Sequence, residues 1–117
     1  NPQTPISGRV IYGDDDRTDL YEVTDSYWLQ SSDAVAALIL KKNLIHEGKS
    51  TKIVGPSFGV DKSLCSSERF YEQTVAADCS GFLVAKNKLL TANHCIENTL
   101  ECSQTKIVFG FQIPHPQ

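Results

Sequence analysis

The stretch Cys79–Cys95, CSGFLVAKNKLLTANHC, decides how this chain folds. Two apolar runs, Gly81–Ala85 and Leu89–Thr91, flank the turn residues Lys86–Lys88, which is the pattern of a β-hairpin. One cysteine precedes the first run, and another follows the second run directly after His94. The stretch therefore predicts a pair of strands with a histidine at its end.

Further short apolar segments extend this β pattern along the chain. Leu44–His46 and Thr51–Val54 flank a four-residue connection that contains a glycine, which predicts a second hairpin. Additional strands are expected over Val10–Tyr12 and Lys106–Phe111. Several short strands with little helix predict an all-β protein, either an antiparallel barrel or a sandwich.

Two segments are ambiguous between helix and strand. The run Ala34–Leu40 is apolar enough for a buried strand, although its alanines also suit a helix. A short helix over Ser26–Leu29 is possible if Thr24 or Asp25 caps its first turn.

The composition argues against two classes of partner. The chain has 117 residues and a formal net charge of -3, without a basic stripe, so it lacks the electrostatic basis for binding nucleic acid. Its longest apolar run, Ala34–Leu40, is far shorter than the roughly 20 residues that cross a bilayer, so no membrane partner is expected. No basic and apolar leader precedes Asn1, and we expect that any export signal has been removed.

The four cysteines, at positions 65, 79, 95 and 102, lack the paired CxxC units of a structural zinc site. Two disulfides in an oxidising compartment, secreted or periplasmic, are favoured over four free thiols in a cytosolic domain. Four cysteines allow three pairings, and the count alone does not choose among them.

The acidic cluster Asp14–Asp16, together with Asp19 and Glu22, could offer oxygen ligands to calcium. It lacks the spacing of an EF-hand loop and the glycine that such a loop requires. A solvated loop in which Arg17 pairs locally is the favoured interpretation.

The joint pattern of Cys79, SGFLV, LLTA, His94 and Cys95 resembles the catalytic-histidine motif of the trypsin-like (chymotrypsin-fold) serine endopeptidases. Outside the motif, Val10–Arg17, Cys65–Gln73 and Ile107–Phe111 are similar to a bacterial secreted branch that is distantly similar to glutamyl endopeptidases. The resemblance covers most of the chain. At Asn93 relatives usually have a small residue, and asparagine tolerates a tight backbone there.

The resemblance implies a fold and a pairing of cysteines. The fold is an antiparallel β-barrel with little helix, the amino-terminal half of a two-barrel enzyme. It divides the chain into a flexible arm at 1–8, the histidine-bearing barrel half at 9–111, and an exposed tail or nicked inter-barrel loop at 112–117. The family pairing is Cys79 with Cys95, which leaves Cys65 to pair with Cys102.

The resemblance also implies a mechanism. His94 would be the general base of a serine endopeptidase, because histidine titrates near neutral pH and can accept a serine hydroxyl proton. The aspartate and the serine would lie beyond residue 117, so we expect this chain to be inactive alone. Its partners would be the carboxy-terminal half of the same protease, as a separate chain, and a protein or peptide substrate. No metal or organic cofactor is required.

Two other interpretations of the whole chain stay open at this point. One is a non-catalytic protease homologue that acts as a secreted binding or scaffold module, and the other is a self-contained, disulfide-stapled interaction domain. Lys52–Gly55 resembles a zymogen activation site, although Pro56 replaces a usual glycine and a hairpin strand is favoured there. His46 and His115 have no supporting constellation and are expected to be solvated.

Overall fold

The structure is a computed structural model, and it describes residues 13–113. The predicted strand Val10–Tyr12, the arm 1–8 and His115 lie outside the described residues. In chain order the elements are α1 (Ser26–Ser32), β1 (Val35–Leu40), β2 (Leu44–Glu47), β3 (Ser50–Ile53), α2 (Phe58–Lys62), β4 (Ala77–Ala85), β5 (Lys88–Thr91), α3 (Thr99–Gln104) and β6 (Thr105–Phe109). Single 3-10 turns occupy Leu20–Glu22, Lys41–Asn43 and Asn93–Cys95.

The main sheet has four strands in the order β5-β4-β1-β6, and every neighbouring pair is antiparallel. Strand β1 lies inside this sheet and pairs with β4 on one edge and β6 on the other. Its residues Ala36, Leu38 and Ile39 are at most 3% exposed. The run Ala34–Leu40 is therefore a strand rather than a helix, because pairing on both edges outweighs the helical preference of its alanines.

The β4–β5 hairpin is the one that the sequence predicts, and its turn consists of Lys86 and Asn87. Gly81 in β4 faces Thr91 in β5. A Cβ atom at Gly81 would lie 2.5 Å from the Cδ2 atom of Leu89 and 2.9 Å from the carbonyl oxygen of Leu90. The absence of a side chain at Gly81 is thus what lets β5 lie close against β4.

The second predicted hairpin forms a separate two-stranded sheet of β2 and β3. Its turn is shorter than expected, because Glu47 already pairs with Ser50 and only Gly48 and Lys49 connect the strands. Gly48 has φ +61°, a left-handed conformation that glycine adopts without steric cost. Lys52 lies within β3, in agreement with the favoured hairpin interpretation.

Each helix begins at a side-chain cap. The Asp25 carboxylate accepts a hydrogen bond from the Tyr27 amide at 2.9 Å, which confirms the predicted cap of α1. The Ser57 hydroxyl caps α2, and the Asn98 side chain accepts from the Glu101 amide to cap α3. Neither α2 nor α3 is predicted from the sequence. The Asn98-x-x-Glu101 spacing is the signal that could have indicated α3.

The predicted class, antiparallel strands with little helix, is confirmed, but the strands of residues 13–113 do not close into a barrel. The main sheet ends at β5 on one side and at β6 on the other, and the β2–β3 hairpin pairs with neither. The described core is small and consists of Ala36, Leu38, Ile39 and Ala76. In the described part of the chain, no helix is long and apolar enough to cross a membrane.

Candidate active site

His94 lies in the tight turn that follows strand β5. The strand ends at Thr91, and the backbone at Ala92 is extended before the 3-10 turn Asn93–Cys95. The Cys95 amide donates to the Ala92 carbonyl oxygen at 3.0 Å and closes this turn. The His94 side chain is exposed. The turn therefore presents the imidazole to solvent at the end of the β4–β5 hairpin.

A disulfide between Cys79 and Cys95 fixes this turn to the main sheet, with the two Cα atoms 6.0 Å apart. Cys79 belongs to β4 and is opposite Leu38 of the buried strand β1. This is the pairing that the family resemblance implied. In the chain-entropy model a disulfide across such a separation stabilises the fold by about 3 kcal/mol. The residue after His94 is thus attached covalently to one of the inner strands.

A hydrogen bond from the Thr91 hydroxyl to the Ser80 carbonyl oxygen, at 2.7 Å, adds a second tie next to the disulfide. Ser80 directly follows Cys79, and only Ala92 separates Thr91 from the turn that contains His94. The two ties hold the end of β5 against β4 from both sides of Ala92. Together they limit the positions that the imidazole can take.

The imidazole also lies close to the disulfide itself. One ring nitrogen of His94 and the sulfurs of Cys79 and Cys95 are all within 4.8 Å of one another. Such a trio could suggest a metal site, but metals bind cysteine as the thiolate, and these sulfurs are bonded to each other. The disulfide therefore positions the His94 imidazole and does not form a metal site with it.

His94 and His46 differ in their surroundings. Within residues 13–113 the His94 imidazole takes part in no hydrogen bond, so both of its nitrogens are available. The His46 Nδ1 atom is 2.9 Å from the Thr51 hydroxyl, its cross-strand neighbour on the β2–β3 hairpin. His46 is exposed, as expected.

The second predicted disulfide, Cys65 with Cys102, is wrong in this structure, because both residues are free and exposed. Cys65 lies in the loop after α2, whereas Cys102 lies in α3. The pairing was inferred by elimination, which assumes that every cysteine finds its partner within these residues. Only the pair that is held together by the β4–β5 hairpin meets that condition.

The acidic segment is bound to a distant loop through two arginines. The Arg17 Nε atom pairs with the Asp15 carboxylate at 2.8 Å, which confirms the predicted local pair. Arg69 donates to the carbonyl oxygens of Asp15 and Arg17 at 2.9 and 2.8 Å. Both guanidinium groups lie over the ring of Phe70, 5.2 and 4.8 Å from its centroid. The Asp15 carboxylate thus already has cationic partners from the protein.

This contact shifts the titration of Asp15. Its side-chain hydrogen bond to Arg17 holds the pKa of the Asp15 carboxyl well below its usual value. Phe70, between the two arginines, has φ +65°, a conformation that is rare for an aromatic residue. We call Asp15, Arg17, Arg69 and Phe70 the arginine clasp.

A cleft of about 940 Å³, which the sequence does not predict, opens beside the main sheet. Its floor includes Ala37, Ala77 and Ser80, and its walls come from residues 18–20, 73–74 and 110–113. His94 does not line this cleft, although Cys79 does. Because the walls come from segments far apart in sequence, no local pattern indicates the cleft.

Comparison with known proteins agrees with the resemblance on which the site rests. The trypsin family model matches residues 61–115, a segment that contains His94 and both cysteines of the disulfide. No curated protein and no solved structure matches the chain significantly. The match supports a trypsin-like serine protease fragment over residues 61–115. The family match indicates a serine protease.

Proposed function

We propose that this chain is the amino-terminal part of a secreted serine endopeptidase and that His94 is its general base. The observation that supports this most directly is the exposed His94 imidazole, fixed at the end of the β4–β5 hairpin by the Cys79–Cys95 disulfide, within the trypsin-family segment. A general base needs a fixed position and a free nitrogen, and His94 combines the two. The proposed distant similarity to glutamyl endopeptidases stays a prediction.

In the proposed mechanism His94 moves one proton back and forth. One imidazole nitrogen accepts the proton of a serine hydroxyl as that oxygen attacks the scissile carbonyl carbon. The imidazolium then gives the proton to the leaving amine, and the peptide carbon–nitrogen bond breaks. In the second half His94 activates water, which hydrolyses the acyl-enzyme and restores the serine. These steps need no electron acceptor and no metal.

The serine and the orienting aspartate are proposed to come from a carboxy-terminal half, either a separate chain or a continuation of this one. This proposal is supported by the free hydrogen-bonding positions of His94 among residues 13–113. In the trypsin-like mechanism one imidazole nitrogen faces the serine and the other the aspartate. The chain alone is then expected to hydrolyse no peptide bond.

An apolar surface on the main sheet supports docking of such a second half. Val35, Phe82 and Leu90 are register partners across β1, β4 and β5, so their side chains share one face. They are 49%, 49% and 52% exposed. Adjacent exposed apolar side chains on one face are typical of a surface that another protein segment covers.

The proposed location, secreted or periplasmic, rests on the Cys79–Cys95 disulfide. Disulfides persist in oxidising compartments and are rare in the cytosol. The exposed thiols of Cys65 and Cys102 do not alter this argument, since a secreted protein can contain free cysteines as well as bonded ones.

The rival function is that of a non-catalytic homologue, and a serine-directed probe separates the two. We would treat the protein, joined with its carboxy-terminal half, with a fluorophosphonate, which phosphonylates a serine only when a general base activates it. We expect the probe to label the parent protein but not H94A. The control is H46A, which removes the other exposed histidine and should still be labelled. A folded parent protein that takes no label would establish the non-catalytic homologue.

A further inference from the structure

The β2–β3 hairpin and the 3-10 turn before it concentrate positive charge in an acidic chain. Four lysines, at positions 41, 42, 49 and 52, lie in this segment with the single carboxylate of Glu47, whereas the whole chain has a net charge of -3. We call residues 41–53 the basic hairpin. Its charge is opposite in sign to that of the chain as a whole.

The four lysines have no acidic partner in the described part of the chain. The ion pairs found there join Asp15 to Arg17 and Arg69, and Lys62 to Asp61. All four lysine side chains of the basic hairpin are exposed. Uncompensated charges of one sign on a small surface create a local potential that attracts groups of the opposite sign.

The hairpin also has unpaired backbone edges. Strand β2 pairs with β3 alone, and β3 with β2 alone, among the described strands. The outer edges therefore present amide and carbonyl groups in a row, which is a template for adding a strand. The Val54 amide donates to the Asn43 carbonyl oxygen at 2.9 Å and joins the two strands at the base of the hairpin.

An apolar side chain stands among the charges. Ile45 is 45% exposed and is opposite Lys52 in the hairpin register, so both side chains point to the same face. A binding partner that alternates acidic and apolar side chains would meet both features. A sulfated polysaccharide would satisfy the lysines but would use neither Ile45 nor the backbone edges.

We propose that the basic hairpin binds an acidic polypeptide segment in extended conformation, which adds as a strand to one edge of the hairpin. In this mode of recognition the backbone hydrogen bonds provide affinity and the alternate side chains provide specificity. Each hairpin strand has four residues and would pair with about four residues of the partner, since paired strands have the same rise per residue. The proposal goes beyond the peptidase function and does not depend on it.

Binding is best tested with a fluorescent peptide of alternating glutamate and valine, by anisotropy at low salt. The first variant replaces the four hairpin lysines by glutamine (K41Q, K42Q, K49Q and K52Q). The matched control replaces four lysines elsewhere (K62Q, K86Q, K88Q and K106Q) and changes the net charge equally. We expect the hairpin variant to bind about tenfold more weakly and the control to change by less than about twofold, because close charge pairs contribute more than the distant field.

Three results would overturn the proposal. Equal losses of affinity in the two variants would mean that net charge, rather than the basic hairpin, attracts the peptide. A second measurement uses the unmodified chain and a peptide with N-methyl groups on alternate amides, which blocks strand pairing. We expect N-methylation to abolish most of the binding. Equal binding of the peptide with and without the N-methyl groups would show simple polyanion attraction. Displacement of the labelled peptide by heparin at a lower concentration of negative charge than by unlabelled peptide would show the same.

Discussion

The Thr91 hydroxyl donates a 2.7 Å hydrogen bond to the carbonyl oxygen of Ser80, one residue away from the Cys79–Cys95 disulfide. This contact and the disulfide fix the two ends of a very short path, from Thr91 through Ala92 to the turn that contains His94. The position of the candidate general base is therefore determined by strand β4, although His94 itself follows β5. Changes in β4 should then affect the site as strongly as changes in the turn.

Replacing Thr91 by valine removes the hydrogen bond while nearly preserving shape. We expect a loss of about 1 kcal/mol in the free energy of unfolding, the usual net contribution of one hydrogen bond. The T91S variant keeps the hydroxyl and is the control. Urea unfolding of the two variants measures the difference, and equal stability of T91V and the parent chain would show that the contact is not formed in solution.

Replacing Gly81 by alanine should separate β5 from β4. The new Cβ atom would meet Leu89 and the Leu90 carbonyl oxygen at less than contact distance, so backbone has to shift. A destabilisation of about 1 to 3 kcal/mol is expected, as for other overpacked sites. The neighbouring S80A change, on an exposed side chain, should stay within about 0.5 kcal/mol of the parent. If both variants unfold at the same urea concentration, β4 and β5 do not approach each other closely at Gly81.

The cysteines should fall into two classes. Removing the disulfide with C79A and C95A together should cost about 3 kcal/mol of unfolding free energy, as expected for a loop of this size. C65S and C102S should each change stability by less than about 0.5 kcal/mol, because these residues are exposed and unbonded. Titration of the native chain with a thiol reagent should detect Cys65 and Cys102 and no other cysteine. A native chain without reactive thiols would restore the Cys65–Cys102 pairing.

The arginine clasp should make stability depend on acid pH through Asp15. The folded-state pKa of Asp15 lies below the usual value of 3.8 for this side chain, so its charged form stabilises the fold at pH values above 3.8. That contribution decreases as the pH falls below 3.8 towards the folded-state pKa. The difference in thermal midpoint between the parent chain and D15N should thus be constant above about pH 5 and should shrink on acidification. For D16N, the control, the difference should stay small throughout.

Local patterns in the sequence were sufficient for the hairpins. The two apolar runs in Gly81–Thr91 and the glycine at position 48 indicate where the strands turn, and both turns occur there. The local sequence does not show whether β1 is a strand or a helix, because its composition suits both. Its pairing with β4 and β6 makes it a strand. Its register with β4 joins residues 38 to 47 positions apart.

Contacts between distant segments account for the features that the sequence does not predict. Arg69 reaches Asp15 and Arg17 across 54 and 52 positions, and nothing in the acidic segment or in its own loop indicates that pairing. The cleft beside Ala37 is likewise lined by segments that are far apart in the sequence, among them residues 18–20, 73–74 and 110–113. The error at Cys65 and Cys102 has the same origin, since counting cysteines gives no information about their separation in space.

The central claim is that His94 acts as the general base of a trypsin-like peptidase, and steady-state hydrolysis of a peptide substrate tests it most directly. The assay uses the protein joined with its carboxy-terminal half, in the parent form and as H94A and H46A. The account predicts that kcat falls by about 10⁴-fold or more in H94A, as when a triad member is removed, while H46A keeps the parent value. An H94A protein that is folded and hydrolyses the substrate at a rate near that of the parent would contradict the account.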